Sequence, residues 1–188
     1  MNIYPIQNFH PILKITKNTY ANWEQQISNF IPLEWQFILM NDGSFTQNLN
    51  ALLIQTPAIL GCQKFNPISK SDIKSIRIVW LENDKKNKFT FARSIWLFNH
   101  NICTNIDILS EKPLGYSLIQ NETDINKDIK EIYYGYNTYL ESKFNSKEPI
   151  WGRKYNIYYK KRSYITIEEF FSPKLINLFQ IDNYKLIN

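Results

Sequence analysis

From Lys154 to Phe171 the chain sets two β-forming runs on either side of a polar step, and the second run carries a carboxylate where strand periodicity asks for an apolar side chain. Tyr155-Asn-Ile-Tyr-Tyr159 and Tyr164-Ile-Thr-Ile167 flank Lys160-Lys-Arg-Ser163, the pattern of a β-hairpin. Alternate residues of a strand point to opposite faces, so Ile165, Ile167 and Phe171 share one face with Glu169. A carboxylate on such a row costs several kcal/mol unless it is paired or hydrogen-bonded. Glu169 is therefore either half of a structural ion pair or part of a site.

Two more strands repeat the theme. In Lys74–Leu81, Arg77 shares a face with Val79 and Leu81; in Lys88–Phe98, Arg93 shares a face with Phe89, Phe91, Ile95 and Leu97. The polar connection Glu82–Asn87 makes the two an antiparallel hairpin. The chain holds eighteen lysines but only four arginines, in a Lys-, Asn- and Ile-rich composition of the kind an AT-rich coding sequence produces. Positions that keep arginine are candidates for needing its planar fork, which binds carboxylates in a bidentate way. That directs attention to Arg77, Arg93 and Arg153. Two arginines and one glutamate on neighbouring strands suit a pocket for a carboxylated small molecule, with buried salt bridges as the alternative.

Around these strands the spacing predicts helices over 19–30 and from the turn Asn41–Thr46 to about Gln55, and a strand over 58–65. It further predicts a short helix at 111–118, a polar helix over 123–136, and a last short helix from Ser172-Pro173. Gly43 gives the 41–46 turn a permissive backbone, and Asp42 or Ser44 can cap the helix that follows. The order describes one α+β domain over residues 1–188, with helices packed on an antiparallel sheet.

Several function classes lose support. No run approaches the roughly 18 apolar residues of a membrane span, and Met1-Asn-Ile-Tyr-Pro5 lacks the pattern of a signal or transit peptide. Cys62 and Cys103 are isolated, and His10 and His100 have no partners in sequence, so no metal site is indicated. The net charge of +5 permits nucleic-acid binding, but its one cluster, Lys160-Lys-Arg162, is what a hairpin turn shows to water. No nucleic-acid partner is expected.

Six motifs then stand in order: Asp42-Gly-Ser-Phe-Thr46, Arg77 in an apolar strand, Ala92-Arg-Ser94, Lys112-Pro-Leu-Gly115, Trp151-Gly-Arg153 and Glu169-Phe-Phe-Ser-Pro173. Together, over about residues 30–175, they resemble the chorismate lyase family, in particular its small plastid and cyanobacterial branch. The resemblance implies a single antiparallel sheet flanked by helices around an enclosed ligand cavity. It implies conversion of chorismate to 4-hydroxybenzoate and pyruvate without metal or organic cofactor, feeding quinone (such as plastoquinone) synthesis. The location implied is the plastid stroma if the gene is plastid-encoded, and the cytoplasm otherwise. By motif, Arg77 resembles the residue that holds the ring carboxylate, with the backbone N–H groups of Phe45 and Leu114 completing its cradle. Glu169 is similar to the acidic residue facing the ring hydroxyl, either as acceptor or as base. Arg93 is similar to a second arginine, for the enolpyruvyl carboxylate. Trp151 and Arg153 match a motif to which no catalytic part is assigned. The same fold also serves as a non-catalytic binding module for aromatic-acid effectors, which is the alternative reading.

Overall fold

A computed structural model describes residues 8–17, 22–53, 57–67, 72–99, 125–159 and 162–179. In chain order the elements are β1 (His10–Thr16), α1 (Trp23–Phe30), α2 (Leu33–Leu39), α3 (Phe45–Leu53), β2 (Ala58–Pro67), β3 (Asp72–Glu82) and β4 (Lys88–Asn99). Then come β5 (Ile125–Tyr136), α4 (Thr138–Phe144), β6 (Ile150–Tyr159), β7 (Arg162–Phe171) and a 3-10 helix (Pro173–Phe179). The strands form one seven-stranded sheet in the order β1-β5-β6-β7-β4-β3-β2, and every neighbouring pair is antiparallel. This is the α+β arrangement the sequence predicts.

Both faces of the sheet are covered. On one, Ile27 of α1, Trp35, Ile38 and Leu39 of α2, Phe45 and Leu49 of α3, and Leu175 of the 3-10 helix pack over Trp151, Ile157, Ile165, Ile167 and Phe171. On the other, Leu140 and Phe144 of α4 meet Ile78, Trp80, Phe91, Ile150 and Phe170. Trp35 meets Trp151 at a ring-centroid distance of 6.2 Å, which seats α2 on β6. Gly152 is required by close approach on the α4 face. A Cβ there would lie 2.6 Å from the Phe170 ring and 2.9 Å from the Glu169 carbonyl, so β6 and β7 could not keep their spacing.

One predicted helix is a strand. Residues 123–136 read as helical because Ile125, Ile129 and Ile132 recur at intervals of four and three. In the structure the register slips between Ile129 and Glu131, a β-bulge that inserts Lys130 and returns Ile132 to the face of Ile129. An inserted residue thus counterfeits a helical period. Strand β1 and helices α2 and α4 were not anticipated; the predicted helix at 111–118 lies outside the described residues.

Candidate functional site

The register of the central strands arranges the pocket-facing side chains in rows across the sheet. Arg77 of β3 pairs with Ser94 of β4, which pairs with Ile167 of β7. One step along, Val79 pairs with Ala92, Ala92 with Glu169, and Glu169 with Arg153 of β6. One step further, Leu81 pairs with Thr90 and Thr90 with Phe171. Small side chains in the middle row leave a depression. Its floor is Val79 and Ala92, its flanks Arg77, Ser94, Tyr155 and Glu169, and Ser44, Phe45 and Thr46 at the start of α3 form one rim. Among the described residues this pocket is partly open, so the enclosed cavity expected from the sequence is not seen.

Glu169 is held from behind by a buried cationic network. Arg153 is 0% exposed and Glu169 8%. Arg153 Nε donates to Glu169 Oε2 at 2.7 Å, and the Tyr155 hydroxyl donates to Oε1 at 3.0 Å. Arg153 Nη1 also donates to the carbonyls of Ile38, Leu39 and Asn41, at 3.0, 2.9 and 3.2 Å. These carbonyls lie at the C-terminal end of α2, where a cation meets the negative pole of the helix. Lys127 Nζ donates to the same Asn41 carbonyl at 2.8 Å and sits 4.3 Å from the centre of the Tyr155 ring. The α2–α3 turn, which leads directly into the Ser44–Thr46 rim, is thereby anchored to β5 and β6, beside the strand that carries Glu169.

The electrostatics follow from this packing. Burial by itself pushes the Glu169 carboxyl up, but the charge of Arg153, then that of Lys127, and the two hydrogen bonds outweigh it and hold it below the ordinary range. Glu169 is therefore ionised at neutral pH. Tyr155 is raised well above the usual phenol range, first by burial and then by the neighbouring carboxylate, so its proton stays in place as a donor. Burial, with the charge of Arg153, brings Lys127 down to about 8. Burial lowers Arg77 as well, yet it remains a cation at any ordinary pH.

The sequence places this site in a known group. Residues 39–179 match the family described as "Chorismate pyruvate-lyase Rv2949c-like". The chain belongs to this family. Its match spans the pocket from the α2–α3 turn to the 3-10 helix. A protein of Antithamnion sp., named "Uncharacterized protein ycf21", is 48% identical over 175 residues, covering 93% of this chain and 96% of its own. Relatives with the same name in Porphyra purpurea and Cyanophora paradoxa are 37% and 29% identical, each over 78% of this chain and over 85% and 80% of their own.

Of the residues that the chorismate-lyase resemblance singles out, the structure brings Phe45, Arg77 and Glu169 to one pocket. Leu114 lies outside the described residues. Arg93 is on the wrong side of the sheet. It shares the α4 face with Phe91 and donates from Nε and Nη2 to Glu168 Oε2, at 3.0 and 2.6 Å. It is a structural ion pair across β4 and β7, the outcome left open for any charge on an apolar face, and not a pocket residue. The network behind Glu169 was missed apart from Arg153, which scarce arginine usage and the Trp-Gly-Arg motif had flagged. Tyr155 was read as an ordinary strand residue, and Lys127 was hidden inside the misread helix. Among the described residues no cluster of His, Cys, Asp and Glu could hold a metal ion, and no helix is long and apolar enough to cross a membrane.

Proposed function

We propose that this protein is a chorismate pyruvate-lyase, converting chorismate to 4-hydroxybenzoate and pyruvate. The observation that carries the reading is the placement of Arg77 and Glu169 on two flanks of one pocket, two residues apart along the strands and two strands apart across the sheet, with Val79 and Ala92 as an apolar floor between them. Two residues along the strands and two strands across the sheet set their backbones roughly 12 Å apart, a gap that two inward-reaching side chains narrow to suit a six-membered ring with a carboxylate at one end and a hydroxyl at the other. Arg77 receives the ring carboxylate, with the N–H groups at the start of α3 beside it. Family membership supports the same reaction class.

The chemistry asks little of a nucleophile. The ring C3–O bond breaks, its electrons leave with the enolpyruvyl oxygen, and C4 gives up a proton. In net terms the departing methylene carbon gains that proton, the oxygen becomes the pyruvate carbonyl, and the C4–H electrons complete the aromatic ring. No atom is added and no electron is transferred to another molecule. The protein's part is to hold one conformer, exclude water and stabilise the developing charge. An ionised Glu169 with a lowered pKa is a poor base but a good acceptor. Each of its oxygens has a further lone pair for the ring hydroxyl. We assign it the orienting role.

The ycf21 relatives are plastid-encoded in algae. We accordingly place the product in quinone ring synthesis in the plastid stroma. The test is calorimetric titration with 4-hydroxybenzoate alongside turnover of chorismate by the wild type, Arg77→Ala and Glu169→Ala. Each variant is expected to lose at least about 10²-fold in kcat/KM while remaining folded. Turnover near wild type in both would remove the residue assignments. Tight product binding with no turnover by the wild type would favour the non-catalytic effector-binding module.

A further inference from the structure

One polar group in the pocket wall has no part in the reading above. Thr90 is 1% exposed and lines the pocket, and its Oγ1 has no hydrogen-bond partner. Buried hydroxyls almost always find one. The neighbouring Ser94 does, accepting from Trp96 Nε1 at 2.9 Å. Among the described residues, the other two buried side-chain polar atoms without partners, Asn41 Oδ1 and Arg153 Nη2, belong to the network behind Glu169 and not to the lining of the pocket. Among the described residues, Thr90 is thus the fully buried lining side chain whose hydrogen-bonding capacity is unspent.

The register says what it would meet. Counting along the sheet, the Arg77 row comes first, the Glu169 row second and the Thr90 row third, each step roughly 7 Å. A ligand with its ring carboxylate on Arg77 and its hydroxyl toward Glu169 reaches the third row only with a substituent that extends beyond the hydroxyl end. Chorismate has one, the enolpyruvyl ether on the carbon next to the hydroxyl; 4-hydroxybenzoate does not. Arg93, the residue expected from sequence to take that side chain, faces α4 and is held by Glu168.

We infer that the Thr90 hydroxyl is a substrate contact for the enolpyruvyl side chain, and so a residue that separates substrate from product. The inference rests on the lyase reading and on its orientation of the ring. An unsatisfied hydroxyl is a donor held ready for the leaving group, and it loses its partner when pyruvate departs. It favours bound chorismate over bound 4-hydroxybenzoate, which promotes release of the product.

Thr90→Val keeps the shape and removes the hydroxyl; Thr90→Ser keeps the hydroxyl. With no native hydrogen bond to lose, Thr90→Val should melt no lower than wild type. Its kcat/KM for chorismate should fall roughly 10- to 100-fold, while its Kd for 4-hydroxybenzoate stays at the wild-type value and Thr90→Ser restores turnover. Unchanged turnover in Thr90→Val overturns the inference. Equal losses for chorismate and 4-hydroxybenzoate also overturn it, because the residue would then shape the wall and not discriminate. If the wild type binds chorismate without converting it, the Kd for chorismate takes the place of kcat/KM and the same contrast decides. A wild type that neither converts chorismate nor binds 4-hydroxybenzoate defeats the lyase reading itself, and this inference with it.

Discussion

Replacing Arg153 by Met keeps most of the side-chain volume and removes the charge that neutralises Glu169. Three carbonyls at the end of α2 lose a donor, and a carboxylate that is 8% exposed loses its nearest cation. Breaking a buried pair from one side costs about 3–5 kcal/mol, a large part of the 5–15 kcal/mol that a domain usually has. The pH dependence should change sign. In the wild type the folded Glu169 pKa lies below its ordinary 4.5, so its contribution is fully present above that value and is lost as pH falls through the folded pKa. In Arg153→Met, burial dominates and raises the carboxyl, with Lys127 only partly offsetting it. The folded variant then binds a proton more readily than the unfolded chain, and its deficit should shrink as pH falls from 7 toward 4. Urea unfolding followed by tryptophan fluorescence at both pH values measures this. Arg153→Met/Glu169→Gln, which removes the stranded charge, should recover a substantial part of the loss at pH 7. A cost below about 1 kcal/mol at pH 7, or a double variant no more stable than the single one, would refute the idea of a buried, mutually dependent pair.

Two further outcomes are expected. Arg93→Met should lower stability through the stranded Glu168 yet leave kcat/KM for chorismate within about threefold, because the pair lies on the α4 face; a loss comparable to that of Arg77→Ala would return Arg93 to the site. The folded chain holds Lys127 at about 8 against an ordinary 10.5, so between those values the unfolded chain binds the extra proton and stability should rise with pH. That lowering corresponds to up to about 3 kcal/mol, and Lys127→Met should abolish the rise in urea titrations from pH 8 to 10; an unchanged slope would contradict the burial of the ammonium.

The parts of the fold that could be read from sequence are those where side-chain period and backbone period agree. Arg77, Val79 and Leu81 fall on one face by simple alternation, and so do Ile165, Ile167, Glu169 and Phe171. Alternation fails at bulges. The Lys130 insertion turned β5 into an apparent helix and took Lys127 with it. A second irregularity, between Ile157 and Tyr158, decides the partner of Glu169: Tyr159 pairs with Arg162 and Tyr158 with Ser163, whereas Ile157 pairs with Ile165. A plain continuation of the hairpin register would have set Arg153 opposite Glu168, and nothing in composition signals the slip. Arg93 fails for a different reason. An apolar row marks the pocket face only if the other face is wet, and here α4 covers the other face too. Strand β1 offers a single buried side chain, Ile15, to a pattern search, and α4 is only seven residues long.

In the proposed function, the pocket between Arg77 and Glu169 turns one molecule of chorismate into one of 4-hydroxybenzoate and one of pyruvate. The direct measurement is to incubate the purified protein with chorismate and quantify all three by chromatography against a protein-free control. Equimolar 4-hydroxybenzoate and pyruvate are expected well above the spontaneous rate, with a return toward that rate in Arg77→Ala. Chorismate that decays only as fast as in the control would contradict it.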